Sequence, residues 1–312
     1  MRLAAALVVL LAIGSLWQIG LTPIRYTWRT GVTPVRDGAA EMRASRVAGV
    51  RPVAQAAPQQ GGFGGFFRPS PQMTAPLRPK TIKPGLFHFC RLRFRESPLG
   101  DGDGWFVDWP RADINLTTRL SQLTKTEIDH EGEEDPIPIV VSLTDPLLFD
   151  CPFVMMTEPG GASFSDEEAE ELRSYLLKGG FLWADDFWGS RAWEWWSNQM
   201  ARVLDREEFP IIDLPLEHPM FHTQFDVKAF PQIPNIGLWE LRHQTSERGA
   251  DSAEAHHRAI VDRSGRVMVF MSHNTDFGDA MEREADAPDY FEKFSVPAYQ
   301  IAVNILLYAM TH

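Results

Sequence analysis

SDEEAEELRSYLLKGGFLWADDFWGS, Ser165 to Ser190, carries the strongest local fold signal in the chain. It reads as a helix, a Gly-Gly stop, a buried strand, and two adjacent acids that open a Gly/Ser turn. Ser165 is a helix cap, and Glu168 three residues later closes a capping box. Asp166 and Glu167 add acidic charge to the first turn, where the helix dipole favours it. Ala169, Leu172, Leu176 and Leu177 give an apolar face at helical spacing. Gly179-Gly180 supply the left-handed stop. Phe181 to Ala184 is an apolar run suited to a buried parallel strand, and Asp185 and Asp186 follow where that strand is expected to end. In open α/β sheets ligands gather outside the carboxyl ends of the strands, so the acid pair marks a site.

Outward from this unit, the chain alternates strands and helices. FHFCRLRF (residues 87–94) reads as a first strand. A helical face of Ile114, Leu116, Leu120 and Leu123 follows, with Asp113 as its expected cap. Ile139 to Val141 and Phe153 to Met156 are further strands. Glu158 lies in the loop after the second of these. Trp193, Trp196, Met200, Val203 and Leu204 repeat at helical spacing after the acids, and Trp188 and Trp195 offer a stacking platform for a sugar. Ala259 to Val261 and Val267 to Met271 flank Arg263-Ser264-Gly265-Arg266 as a hairpin. Ser272 to Asp276, which includes His273 and Asn274, closes its second arm with a polar cluster. Pro297 to Met310 is a closing helix. This order predicts a layered α/β fold with a mostly parallel sheet.

The charge is divided along the chain. Residues 1–85 carry 11 Lys/Arg against 2 Asp/Glu, and residues 86–312 carry 19 against 40. A basic leader precedes an acidic body, and such a body would approach nucleic-acid phosphates against its own field, which excludes that partner. Leu3 to Leu21 is free of charge and at helical rise spans about 28 Å, near the thickness of a bilayer core. The organisation expected is therefore a transmembrane anchor or signal segment (1–22), a basic Pro/Gly-rich linker (23–85) and a globular domain (86–312). A single-pass protein of a bacterial inner membrane with a periplasmic body follows from that reading, with an envelope protein or a small polar ligand as partner.

Two cysteines, Cys90 and Cys151, both fall in strand-like segments. Export would permit a disulfide, but buried free thiols are the expectation. Neither of two local motifs makes a metal site. Pro219 breaks the spacing of His218 and His222, and Asp101-Gly102-Asp103-Gly104 lacks the rest of a calcium loop. No cofactor is indicated.

FHFCRLRF, GWFVDWPRADINLTTRL, DPLLFDCPFVMMTEPGG, SDEEAEELRSYLLKGGFLWADD, HPMFH and VNILLYAMTH together resemble a bacterial family, domain-of-unknown-function family 4159, across roughly residues 86–312. That family is similar in turn to the class I glutamine-amidotransferase-like fold, a flavodoxin-like layered sheet. In those amidotransferases a Gly-Gly, strand, Cys-elbow segment presents the nucleophile. Matching Gly179 to Asp186 onto that segment puts Asp186, or Asp185, where the Cys would be, and His273 falls where a relative could place its catalytic His. Neither cysteine lies there, so thiolate chemistry is not expected.

Three readings follow. The first is a non-enzymatic module binding a partner or ligand through Asp108, Glu158, Asp185, Asp186, Trp188, His222, His273 and Asn274. The second is a hydrolase using Asp186, or Asp185, with His273 or His222 in proton transfer. The third is a metal or carbohydrate site at the same sheet end. Against all three stands the plain alternative that Asp186 caps the Trp-rich helix.

Overall fold

The computed structural model describes residues 82–130, 135–136 and 138–312. The expected anchor, Leu3 to Leu21, and nearly all of the linker lie outside the described residues. Strands β1 (Cys90–Arg93), β3 (Ile139–Ser142), β4 (Phe153–Thr157), β6 (Phe181–Phe187) and β9 (Val267–His273) run parallel. β8 (His256–Val261) and β7 (Ile211–Asp213) extend this sheet antiparallel, giving the order β3-β1-β4-β6-β9-β8-β7. A small ribbon pairs β2 (Arg95–Glu96) with β5 (Ala162–Ser163). The layered α/β fold and the β8–β9 hairpin are as the sequence predicts.

Helices cover both faces. α1 (Arg111–Leu123), α5 (Phe277–Glu282) and α6 (Val296–Thr311) pack with Phe153, Met155, Phe181 and Trp183 on one face. α2 (Asp166–Leu177) and α3 (Gly189–Val203) pack with Val154, Met156, Leu182 and Ala184 on the other. Alternate residues of β4 and β6 thus enter opposite cores, which is why those strands read as unbroken apolar runs. A shorter helix, α4 (Ile236–Arg242), lies in the crossover from β7 to β8. Among the described residues, Pro288–Thr311 is long and apolar enough to cross a membrane, but most of it is buried within this core.

The opening unit folds as read. Ser165 Oγ accepts from Glu168 N at 3.1 Å, and Glu168 Oε2 accepts from Ser165 N at 2.7 Å. Gly179 stops the helix at φ 111°, a conformation open to glycine. Tyr175, buried beneath, donates to the Cys151 carbonyl at 2.8 Å and ties α2 to the start of β4.

Two expectations are corrected. α1 begins after Pro110, and Asp113 does not cap it; its carboxylate turns inward to a buried ion pair with Arg91 of β1. Cys90 and Cys151 are joined in a disulfide. Sequence spacing hides this pairing because it depends on strand order. β1 lies beside β4 with Cys90 in register with Val154, which brings Cys151, two residues before β4, against β1.

The bridge closes a loop across 61 residues. Chain-entropy arguments put the stabilisation from a loop of this length at about 4 kcal/mol as an upper value. Alkylation of the unfolded, unreduced protein is expected to modify neither cysteine. Reduction is expected to lower the melting temperature, and labelling of either thiol without reductant would contradict the pairing.

Candidate functional site

The carboxyl ends of four adjacent strands, β1, β4, β6 and β9, converge on one group of acids. Four non-glycine residues there lie in the left-handed region: Asp108 (φ 62°) in the loop between β2 and α1, Glu158 (51°) after β4, Asp186 (57°) near the end of β6, and Asn274 (61°) after β9. Among the described residues only His243 shares this conformation. Asp and Asn tolerate it moderately, Glu poorly, and its concentration at one end of a sheet is the pattern of a constrained site.

β6 does not stop at the acids. It continues to Phe187, which pairs with His273, and the register shifts between Ala184 and Phe187. That irregularity contains Asp185 and Asp186 and turns their side chains to different environments. Asp185 is fully buried. It accepts from Ser272 Oγ, itself bonded by the Trp183 indole at 2.7 Å, and from Gly278 N at 3.1 Å. Asp186 accepts from the Trp188 indole at 2.8 Å.

Asp186 is therefore not the cap of α3. The helix starts after Trp188, and its first amides are satisfied from elsewhere in the chain. Gly189 N donates to Asn274 Oδ1 at 2.8 Å, and Ser190 N donates to Asp251 Oδ2 at 2.9 Å. Asn274 also donates to the Glu254 carbonyl at 2.8 Å, so its amide is a strut between elements.

Asp108 enters from the turn before α1. It is buried, and its Oδ2 accepts no hydrogen bond. A Cβ on Gly278 would overlap that oxygen, so only glycine admits the carboxylate here. Asp276 caps α5, accepting from Asp279 N at 2.6 Å. Carboxylate oxygens of Asp108, Asp186 and Asp276 lie within 4.8 Å of one another, and those of Asp108, Asp279 and Glu282 form a second such group. Glu158 closes one side, accepting from the Asp103 and Gly104 amides of the DGDG turn. That turn thus serves as a donor loop.

Arg91 supplies the buried positive charge beneath. Its guanidinium is committed to Asp113, with Nε to Oδ2 at 3.2 Å, and to Thr157. The acids above are left with each other. Burial raises Asp108, Asp186 and Asp276 well above the ordinary carboxylate range, and neighbouring carboxylates raise them further. Burial also pushes Asp185 and Asp279 up to about 7 and Glu158 to about 8.

The histidines do not join this group. His273 is buried, its Nε2 bonded to the Gly189 carbonyl at 3.0 Å and its Nδ1 to Arg258 at 3.2 Å. Burial, with Arg258 and His256 nearby, lowers it to about 4, so it is a neutral structural residue at physiological pH. His222 spends its ring nitrogens on Asp226 and the Leu216 carbonyl, each at 2.8 Å. Two shallow hollows of about 400 and 700 Å³ share Lys125 and Thr126, and the first is lined by Phe87 and Pro152 at the opposite end of the sheet.

The sequence placed Asp108, Glu158, Asp185, Asp186 and Trp188 at the sheet end, and the fold gathers them there. It missed Arg91, Asp276, Gly278 and Asp279. The Asp276 to Asp279 spacing is a helix-start signal that could have exposed two of them.

The domain is thus a layered α/β fold with a buried carboxylate cluster where its central strands end. Residues 88–310 match a family described as a domain of unknown function (DUF4159), and the chain belongs to that family. No curated protein matches the sequence.

The raised carboxyls set the direction of the pH dependence. An acid whose folded pKa exceeds its unfolded value contributes stability below the unfolded pKa, lost as pH rises through the folded one. For the buried acids that window runs from about 4 to about 8. In a chelator without added ligand, the melting temperature is expected to fall as pH is raised from 5 to 8. A rise over that interval would contradict the assignment.

Proposed function

We propose that the protein is a tethered, non-catalytic ligand-binding domain of the bacterial cell envelope. Its ligand sits at the carboxyl end of the sheet among Asp108, Glu158, Asp186 and Asp276. The observation that carries this reading is the convergence of Asp108, Glu158, Asp186 and Asp276 at one end of the sheet, the first three on left-handed backbone, without a nucleophile–base pair beside them among the described residues. Read consecutively, the parallel strands have the order 2-1-3-4-5 of flavodoxin-like sheets, which supports the likeness to class I glutamine amidotransferases. In that comparison the elbow position falls to Asp186. Both cysteines are committed to the disulfide and both nitrogens of His273 to structural partners, so neither thiolate attack nor histidine base catalysis has its groups.

An envelope location draws support from two features. Leu3 to Leu21 is uncharged and long enough to span a bilayer, and the disulfide suits an oxidising compartment. The inner membrane is then the anchor's site and the periplasm the domain's. The basic linker would lie between them.

A second reading has one observation in its favour. Asp186 is left-handed in the irregular end of β6, two residues before the N-cap of α3, close to the position from which hydrolases present a nucleophile. Against attack, the Trp188 indole already holds one oxygen of the Asp186 carboxylate. Purified full-length protein and Asp186→Asn should be assayed on nitrophenyl ester and glycoside substrates, and screened for melting shifts by sugars, polyamines and oligopeptides. The expected result is no turnover that depends on Asp186, and a shift by at least one ligand class that Asp186→Asn removes. Turnover abolished by Asp186→Asn would replace binding with hydrolysis.

A further inference from the structure

We infer that Asp108, Asp186 and Asp276 form a binding site for one hard divalent cation of the calcium or magnesium class. The inference rests on the reading that the sheet end is a ligand site, and it names what the acids hold.

Three carboxylates are not a site merely by proximity. Here they come from three separate segments: Asp108 from the turn before α1, Asp186 from β6 and Asp276 from the loop after β9. All three are buried, and their oxygens converge within 4.8 Å. Two are oriented by donors that occupy one oxygen each, Trp188 Nε1 on Asp186 Oδ1 and Asp279 N on Asp276 Oδ1. The second oxygen of each remains for a ligand. The independent sign is Asp108 Oδ2, buried with no hydrogen-bond partner and tolerated only because Gly278 lacks a side chain. A buried carboxylate oxygen left unbonded carries a large desolvation penalty, which a cation among the three acids removes.

The protein supplies no such charge itself. Among the described residues no Lys or Arg forms an ion pair with any of the three; Arg91 is paired with Asp113. The neighbouring group of Asp108, Asp279 and Glu282 is a weaker candidate because it is already served. Arg283 lies 2.9 Å from Glu282 and 3.5 Å from Asp279, and Ile236 N donates to Asp279 Oδ2. The donor set selects the class of ion. It holds only carboxylate oxygens, with no imidazole or thiolate, which suits calcium, magnesium or manganese over zinc or copper. Three protein oxygens leave further coordination positions to water or to the oxygens of an organic ligand.

Full-length protein stripped with chelator should be titrated by calorimetry with Ca²⁺, Mg²⁺ and Zn²⁺ separately. One site per chain is expected for Ca²⁺ or Mg²⁺. Its affinity should fall at least tenfold in Asp108→Asn and in Asp276→Asn, and stay unchanged in the exposed Asp150→Asn. Should either site variant fail to fold, Tb³⁺ replaces the cation in the wild type. Trp188 touches the site, so Tb³⁺ emission excited through tryptophan should appear, weaken in Trp188→Phe, and be displaced by Ca²⁺. No saturable binding at millimolar cation, Zn²⁺ alone binding, affinity indifferent to Asp108→Asn and Asp276→Asn, or Tb³⁺ emission unchanged in Trp188→Phe would each overturn the inference. Absence of a cation alongside a melting shift by an organic ligand would sink this site and leave the binding reading standing. Cation binding with turnover dependent on Asp186 would do the reverse.

Discussion

Carboxylates crowded into the dry end of a sheet repel one another, and most of the surrounding structure answers to that repulsion. Asp108, Asp186 and Asp276 lie within reach of each other without an arginine or lysine among them. Their charge is eased from a distance. Arg91 lies beneath, already bound to Asp113, and still favours ionisation of Asp108. The amino ends of α1 and α3 rise from the same edge of the sheet, so their dipoles present positive ends to it. Neither neutralises the cluster, whose acids stay well above their ordinary pKa range.

Such an arrangement persists only where the scaffold holds the backbone firmly. Four left-handed residues at one edge would each favour relaxation if their strands were free to shift. The strands are fixed by cores on both faces, by the Trp183–Ser272–Asp185 chain within the sheet, and by a disulfide tying β1 to the approach of β4. Asn274 adds a strut from the end of β9 to the start of α3. The packed and cross-linked part of the molecule thus lies directly below the polar part.

How much of this is legible in sequence depends on the distance over which each signal acts. The capping box at Ser165 and Glu168, the Gly179 stop and the buried run from Phe181 are local, and each folds as read. Asp185 and Asp186 were legible as a site because the end of a parallel strand is a predictable place. Arg91 was not, since its partner Asp113 is 22 residues away and its neighbours pass for ordinary strand alternation. The disulfide was misread for a similar reason, because only the order β3-β1-β4 brings its halves together. His273 falls at the end of the expected strand, yet side-chain packing by Phe187, Trp193 and Arg258 gives it a structural role that no motif announces.

The carboxylates at the sheet end are held at a cost in stability. Thermal unfolding of wild type and Asp186→Asn at pH 8, in chelator and without ligand, tests it most directly. Asn accepts the left-handed backbone as Asp does, so the substitution removes charge with little change of shape. The Asn variant is expected to melt higher than wild type, because a repelling carboxylate has been neutralised. A variant less stable by about 1 kcal/mol or more would show that Asp186 serves the fold as an ordinary hydrogen-bonding residue, and would contradict the claim.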